Sequence, residues 1–127
     1  MTVPQTYSAG LKGRILIVDD ELVVRDSLQK WFDSEGYDAG AVSSGREALF
    51  AVQQKQYDLA LLDIKMPGMD GIQTLNAIKN INKDQLVILC SAYGEFKQDF
   101  SSWVSDAYVV KSADMKELKQ TIKKLVS

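Results

Sequence analysis

The chain has 127 residues, of which 46% are hydrophobic and 25% are charged, and its formal net charge is -2. This size and composition are typical of one globular domain with a substantial apolar core. The small negative charge gives no indication of nucleic-acid binding, and no apolar run is long enough for a membrane span or a secretory leader. We therefore expect a cytoplasmic protein that binds neither nucleic acid nor membranes.

The chain contains no histidine and a single cysteine, Cys90. The missing histidine excludes Ser-His and Cys-His nucleophilic catalysis, imidazole metal sites and a phosphohistidine donor within this chain. Cys90 lies in the apolar run 86–90, where a thiol behaves as a small buried hydrophobe. A phosphoryl group would therefore have to come from another molecule.

Strand and helix patterns alternate from residue 14 onward. Residues 1–13 show no periodic pattern, so we predict a flexible lead-in followed by one domain over residues 14–127. The continuous apolar run 14–18 predicts a buried strand. Residues 21–35 predict a helix, because their apolar side chains recur at helical spacing and Gly36 suits the position after a helix end.

The same alternation continues to the end of the chain. Further strands are predicted at 37–42, 58–62, 86–90 and 107–110. Further helices are predicted from a capping box at Ser44 and Glu47, around Ile72, Leu75 and Ile78, over the short stretch 95–103, and around Met115, Leu118, Ile122 and Leu125. Five apolar strands separated by helices predict a parallel sheet that is covered on both faces and joined by right-handed crossovers.

Acidic side chains follow two of these strands where each strand ends. Asp19 and Asp20 come after the first strand, and Asp63 comes after the third. If the two strands are parallel neighbours, three like charges crowd one pocket and repel each other. Mg2+ relieves this repulsion, because it prefers oxygen ligands and is commonly held by one or two carboxylates with a phosphate oxygen. The pattern predicts a Mg2+ cofactor and phosphoryl chemistry.

Two further polar residues lie at the corresponding positions of later strands. Ser91 follows the fourth predicted strand, and Lys111 follows the fifth. Ligands of open α/β sheets bind beyond the carboxyl ends of the strands, at the point where the strand order reverses. We therefore expect these two residues at the same edge as the acidic residues.

Four motifs resemble the receiver domain of two-component response regulators. They are ILIVDDE at 15–21, LLDIKMPGMDG at 61–71, LCSA at 89–92 and YVVK at 108–111. The resemblance covers about residues 14–126 and implies a flavodoxin-like, doubly wound five-stranded parallel sheet of order 2-1-3-4-5 with five helices. It also implies a signalling receiver rather than an enzyme, phosphorylated by a histidine kinase or a histidine phosphotransfer protein. Such a receiver takes part in its own phosphotransfer and autodephosphorylation.

The resemblance also implies roles for particular residues. Asp63 would be the phosphoacceptor. Asp19, Asp20 and Asp63 would hold Mg2+ together with the backbone carbonyl of Lys65. Lys111 would neutralise charge on the transferred phosphoryl group, as phosphoryl transfer requires.

A switch is implied as well. Ser91 would bond the phosphate only after it forms, and Tyr108 would turn from an exposed to a buried position. The surface of the fourth predicted helix, the fifth strand and the last helix would then change its affinity for an output partner. A modification can drive such a change only by interacting differently with the two conformations.

Two other functions compete with this interpretation. Ser112 follows Lys111 where the family usually has proline, which favours a phosphate-independent receiver that acts as an interaction module. The retained Asp63, Ser91 and Lys111 oppose it. A Mg2+-dependent phosphohydrolase resembling the haloacid dehalogenase family would need Asp-x-Asp on one strand, whereas Asp19 and Asp20 are adjacent.

Overall fold

The computed structural model describes residues 12–66, 68–91, 107–110 and 116–126. These residues form five strands: β1 (Arg14–Val18), β2 (Asp38–Val42), β3 (Leu59–Asp63), β4 (Leu86–Ser91) and β5 (Ala107–Val110). They also form four helices: α1 (Leu22–Ser34), α2 (Gly45–Gln54), α3 (Gly71–Ile81) and α4 (Lys116–Val126). The predicted alternation is confirmed over these ranges. The short helix predicted at 95–103 lies outside the described residues, so α4 is the last helix predicted from the sequence.

The five strands form one parallel sheet in the order β2-β1-β3-β4-β5, which confirms the predicted order. The chain leaves β1 toward β2 on one side and returns to β3 on the other. The strand order therefore reverses at β1, and this reversal opens a crevice at the carboxyl ends of β1 and β3.

The register of the sheet extends two of the predicted strands, β3 and β4, by one residue at their carboxyl ends, and β2 and β3 each begin one residue later than predicted. Asp63 pairs with Cys90 across β3 and β4, so it is the last residue of β3 rather than the first residue of the following loop. The change of residue type at position 63 suggested that the strand ends earlier. Backbone pairing with β4 overrides that signal, because ladder hydrogen bonds do not depend on side-chain polarity.

The sheet separates two apolar clusters, since successive side chains of a strand point to opposite faces. On one face, Ile15 and Ile17 of β1 pack with Phe32 of α1 and Ile122 of α4. On the other face, Leu16 and Val18 pack with residues of α2 and α3, including Ala48, Leu75 and Ile78. Both sides of β1 are therefore buried, which fixes the position of the strand that delivers Asp19. No helix in the described ranges has the length and hydropathy that a membrane span requires.

Phe32 offers a test of this core. Its side chain has no exposed surface, whereas Phe50 on α2 is 67% exposed. We expect Phe32→Ala to lower the free energy of unfolding by about 3 to 5 kcal/mol, because it removes buried contacts and leaves a cavity. Phe50→Ala should change it by no more than about 0.5 kcal/mol. Urea denaturation of both variants measures the difference, and equal losses would contradict the assigned core.

Candidate metal centre

Three carboxylates meet at the crevice beyond β1 and β3. Asp19 and Asp20 follow β1 directly, Asp63 ends β3, and the two strands are adjacent in register. One carboxylate oxygen from each of the three residues lies within 4.8 Å of the others. Asp19 is 2% exposed and Asp63 is 7% exposed, whereas Asp20 faces solvent. The convergence predicted from the sequence is therefore present, with two buried carboxylates and one exposed.

Asp19 is held by both its backbone and its side chain. Its N–H donates to the carbonyl of Val42 in β2 at 3.2 Å. Its Oδ1 accepts a 2.9 Å hydrogen bond from the backbone N–H of Glu21, at the start of α1. The Glu21 side chain makes no capping bond. Asp19 thus satisfies one of the N–H groups that the first turn of a helix leaves unpaired, and the positive end of the helix dipole favours its negative charge.

The backbone after Asp63 is held against β4 and α3. The N–H of Ile64 donates to the Cys90 carbonyl at 3.0 Å, and the N–H of Gly71 donates to the Ile64 carbonyl at 2.9 Å. Gly68 adopts φ +75°, a left-handed conformation that suits glycine. The intervening loop is therefore closed by a backbone hydrogen bond directly beside the phosphoacceptor candidate.

Gly71 brings the start of α3 into close contact with Asp63. A Cβ placed on Gly71 would lie 2.7 Å from the Cα of Ile64 and 2.9 Å from the carbonyl carbon of Asp63, and closer still to the Asp63 carbonyl oxygen. A reciprocal capping box fixes the helix start, because Asp70 accepts from the Gln73 N–H while the Gln73 side chain accepts from the Asp70 N–H. The sequence analysis missed this role of Gly71, although a glycine directly after an N-cap aspartate could have indicated a close approach.

Below the carboxylates lies a small apolar cavity. Its volume is about 10 Å³, no more than a single water molecule could occupy. Its lining consists of Ile17, Val18, Asp19, Leu28, Leu61, Asp63, Cys90 and Leu118. Cys90 is 3% exposed, as expected for a buried thiol. The two buried carboxylates therefore border an apolar cavity, and electrostatic interactions in such surroundings are stronger than in water.

This donor set fits Mg2+. Within the described part of the chain, Asp19, Asp20 and Asp63 form the one cluster of this kind, and all of its donors are hard oxygen atoms. Buried like charges are costly unless they are compensated, and a divalent cation compensates them. Lys65, whose backbone carbonyl is the fourth predicted ligand, follows Asp63 by two residues and has an exposed side chain. When bound, Mg2+ would supply positive charge opposite a transferred phosphoryl group.

The remaining predicted site residues are placed only in part. The backbone of Ser91 ends β4 opposite Val110, and the backbone of Tyr108 lies in β5 opposite Leu89. The side chains of Ser91 and Tyr108, and Lys111 as a whole, lie outside the described residues. The ends of β4 and β5 nevertheless share the edge that carries the carboxylates, since all the strands are parallel.

Comparison with known sequences gives a consistent result. Residues 15–123 match a family profile described as response regulator receiver domain. The sporulation initiation phosphotransferase F of Bacillus subtilis (strain 168) is 38% identical over 113 residues, which cover 87% of this chain and 91% of that protein. The transcriptional regulatory protein ZraR of Escherichia coli (strain K12) is 34% identical over 115 residues. The match covers 89% of this chain but 26% of ZraR, so this chain spans about a quarter of that regulator.

Solved structures agree with the sequence comparison. The response regulator protein TrrA of Thermotoga maritima, crystallised in complex with Mg2+-BeF, superimposes with a TM-score of 0.83 at 44% identity. The alignment covers 88% of this chain and 97% of that chain. A structure of the histidine kinase ThkA in complex with TrrA gives a TM-score of 0.82 at 44% identity, covering 90% of this chain and 98% of the matched chain.

Gly71 gives a test of how the carboxylate is positioned. We expect Gly71→Ala to lower the free energy of unfolding by about 1 to 3 kcal/mol, the usual range for overpacking a tight contact. It should also weaken Mg2+ binding, because the clash falls on the Asp63 peptide. Gly40→Ala is the matched control, since a Cβ there would meet Tyr57 Oη at an ordinary 3.4 Å. Urea denaturation and Mg2+ calorimetry would contradict the assignment if the two variants behaved alike.

Proposed function

The chain belongs to the response regulator receiver domain family, and on this premise we propose that Asp63 accepts a phosphoryl group from a partner histidine kinase or histidine phosphotransfer protein in a Mg2+-dependent reaction. The observation that supports the proposal most directly is the approach of the Asp19, Asp20 and Asp63 carboxylates to within 4.8 Å. The complex of ThkA with TrrA supports a kinase as the donor.

The chemistry follows from the position of Asp63. One carboxylate oxygen attacks phosphorus, and an oxygen–phosphorus bond forms while the phosphorus–nitrogen bond to the donor histidine breaks. The leaving imidazole nitrogen keeps the bonding electrons, and the product is an acyl phosphate on Asp63. Catalysis of phosphoryl transfer is mainly positioning and charge stabilisation. Asp63 is positioned by β3, by its pairing with Cys90 and by the close packing of Gly71.

Asp19 and Asp20 have different tasks in this scheme. Asp19 is buried and held by the N–H of Glu21, so it offers an oxygen in a fixed place. Asp20 is exposed, so it can adjust when an ion binds. With Asp63 and the carbonyl of Lys65, they are the residues that we propose to hold Mg2+.

We extend the proposal to the switch by family resemblance. Lys111 neutralises charge on the phosphoryl group, Ser91 bonds it after transfer, and Tyr108 changes its exposure. The segment 95–103, β5 and α4 then alter their affinity for an output partner. We also propose that the protein is cytoplasmic, that residues 1–13 lead into a receiver over 14–127, and that this receiver takes part in its own phosphotransfer and autodephosphorylation.

Two exposed apolar side chains at the start of α1 follow the acidic residues in the sequence and suit contact with the donor protein. Leu22 and Val23, in the first turn of α1, are 60% and 76% exposed. They follow the acidic residues directly in the sequence. Exposed apolar side chains at the rim of a reactive site favour a protein partner, because their burial on contact is favourable. We propose that the kinase or phosphotransfer protein covers them while its histidine reaches Asp63.

The acceptor assignment predicts a specific mass change. Incubation with acetyl phosphate and Mg2+ should add one phosphoryl group to the parent chain, as measured by intact mass spectrometry. Asp63→Asn should show no gain, because the amide lacks the nucleophilic carboxylate. Asp26→Asn, an exposed change on α1, is the matched control and should react like the parent. Removal of Mg2+ with a chelator should abolish the reaction.

A parent chain that binds Mg2+ but gains no phosphoryl group would contradict the proposal. That result would favour the phosphate-independent receiver. Modification that persists in Asp63→Asn would instead place the acceptor elsewhere.

The proposed donor contact predicts a difference between large and small donors. With the kinase that labels the parent fastest in a panel of purified, autophosphorylated histidine kinases, Leu22→Ser/Val23→Ser should accept phosphate about tenfold more slowly, equivalent to about 1.4 kcal/mol. Acetyl phosphate should label the double variant and the parent equally. Ile81→Ser is the control, because Ile81 is 46% exposed but lies at the end of α3. Equal transfer from the kinase to all three chains would rule out this contact surface.

A further inference from the structure

We propose that Arg25 is a positioning residue of the Mg2+ site, which acts through the backbone of Asp19. The inference rests on the proposed function, because it assigns a role toward the same ion. Arg25 lies on α1 and supplies no metal ligand itself. Its Nη1 donates a 2.8 Å hydrogen bond to the backbone carbonyl of Asp19.

The contact completes a set of three restraints on Asp19. The N–H of Asp19 donates to Val42 in β2, its Oδ1 accepts from the N–H of Glu21, and its carbonyl accepts from Arg25. The first and third restraints fix the peptide groups on either side of the Asp19 Cα. The second fixes the carboxylate relative to α1. With all three in place, little rotation remains for the buried side chain.

The charge of Arg25 also acts on the Glu47 carboxylate. The pKa of Glu47 is lowered, chiefly by hydrogen bonds from the Ser43 hydroxyl and backbone N–H and additionally by the positive charge of Arg25. Both bonds from Ser43 measure 2.7 Å. Glu47 lies in the first turn of α2.

Hydrogen bonds join the end of β1 to its neighbours. Arg25 donates to the Asp19 carbonyl, and the Asp19 N–H donates to the Val42 carbonyl. Ser43 follows Val42 and donates to Glu47 at the start of α2, and the charge of Arg25 makes a smaller contribution to the lowered pKa of Glu47. A guanidinium suits this position, because it is always charged and presents several donors in a fixed fork. The hydrogen bonds therefore link α1, β1, β2 and α2 at the edge that carries the carboxylates.

Removal of the Arg25 side chain should change the affinity for Mg2+ more than the rate of phosphoryl transfer. Groups that orient a metal ligand from outside the coordination sphere commonly change metal affinity by about 10 to 100-fold when they are removed. Without the Arg25 side chain, the Asp19 peptide has more conformational freedom in the ion-free protein. It loses this freedom when the ion binds, and the lost entropy weakens Mg2+ binding. Once Mg2+ is saturating, Asp63 itself is unchanged and should react at nearly the parent rate.

The experiment compares two arginines of the same strand–helix unit. Arg25→Ala and Arg25→Lys are tested against Arg14→Ala. Arg14 lies at the opposite end of β1, where its Nε forms a 3.1 Å ion pair with Asp38 and its Nη1 donates to the Gln56 carbonyl at 3.3 Å. Both arginines therefore bond a backbone carbonyl, but only Arg25 does so at the carboxylate cluster.

Two readouts are needed. Calorimetric titration with Mg2+ should give a Kd about tenfold higher for Arg25→Ala and about threefold higher for Arg25→Lys, because lysine keeps one donor. Arg14→Ala should bind Mg2+ like the parent. In the acetyl phosphate reaction, the half-saturating Mg2+ concentration should rise by the same factor in Arg25→Ala, while the rate at saturating Mg2+ stays within about twofold of the parent.

The possible failures are distinguishable. Unchanged Mg2+ affinity in Arg25→Ala, or an equal loss in Arg14→Ala, overturns the positioning role. If Arg25→Ala does not fold, as judged by circular dichroism without Mg2+, then Arg25→Lys and Glu47→Gln carry the test, and parent-like affinity in both overturns it. A parent chain that binds no Mg2+ overturns the proposed function instead.

Discussion

Repulsion among carboxylates at one edge of a parallel sheet is the constraint on which this structure depends. At a separation of about 5 Å and an effective dielectric constant of about 20, two unit charges repel by about 3 kcal/mol. Asp19 and Asp63 are both buried and their carboxylate oxygens lie within 4.8 Å of each other, so two charged carboxylates at these positions repel unless positive charge compensates them. The apolar packing on both faces of β1 supplies the offsetting stability. A divalent cation bound to the cluster would remove this repulsion.

The same constraint explains which features could be predicted from the sequence. Apolar runs predicted the strands, and helical spacing predicted the helices. The expected parallel arrangement then placed Asp19, Asp20 and Asp63 at one edge, because parallel strands end on the same side of a sheet. The order of the strands came from the family resemblance rather than from the pattern. The end of β3 was placed one residue early, because a charged residue was expected to terminate the strand, whereas backbone pairing with Cys90 continues through it.

Other features could not be predicted, because they depend on contacts between backbone and distant side chains. No pattern reveals that Arg25 bonds the carbonyl of Asp19, since an arginine on the first turns of a helix is usually a solvated charge. The contact of Gly71 with the Asp63 peptide is similar, because the packing of α3 against the end of β3 is what would make a side chain there clash. The Arg25 hydrogen bond and the Gly71 contact both fix the position of a residue that carries a carboxylate. Sequence therefore predicted which carboxylates converge, and the three-dimensional structure shows what holds them.

The first two turns of α1 combine two tasks that are usually considered separately. The N–H of Glu21 and the guanidinium of Arg25 hold Asp19, while Leu22 and Val23 present apolar surface to solvent between them. A donor protein that covers Leu22 and Val23 therefore binds the same turn that orients a proposed ligand of the ion. Any preference of that protein for one arrangement of the turn must appear as a preference in Mg2+ affinity, because binding equilibria that share a conformational state are reciprocally linked. Under these two proposals, donor docking and metal binding act on one element, and the order in which they occur would affect the rate of transfer but not the combined free energy of binding.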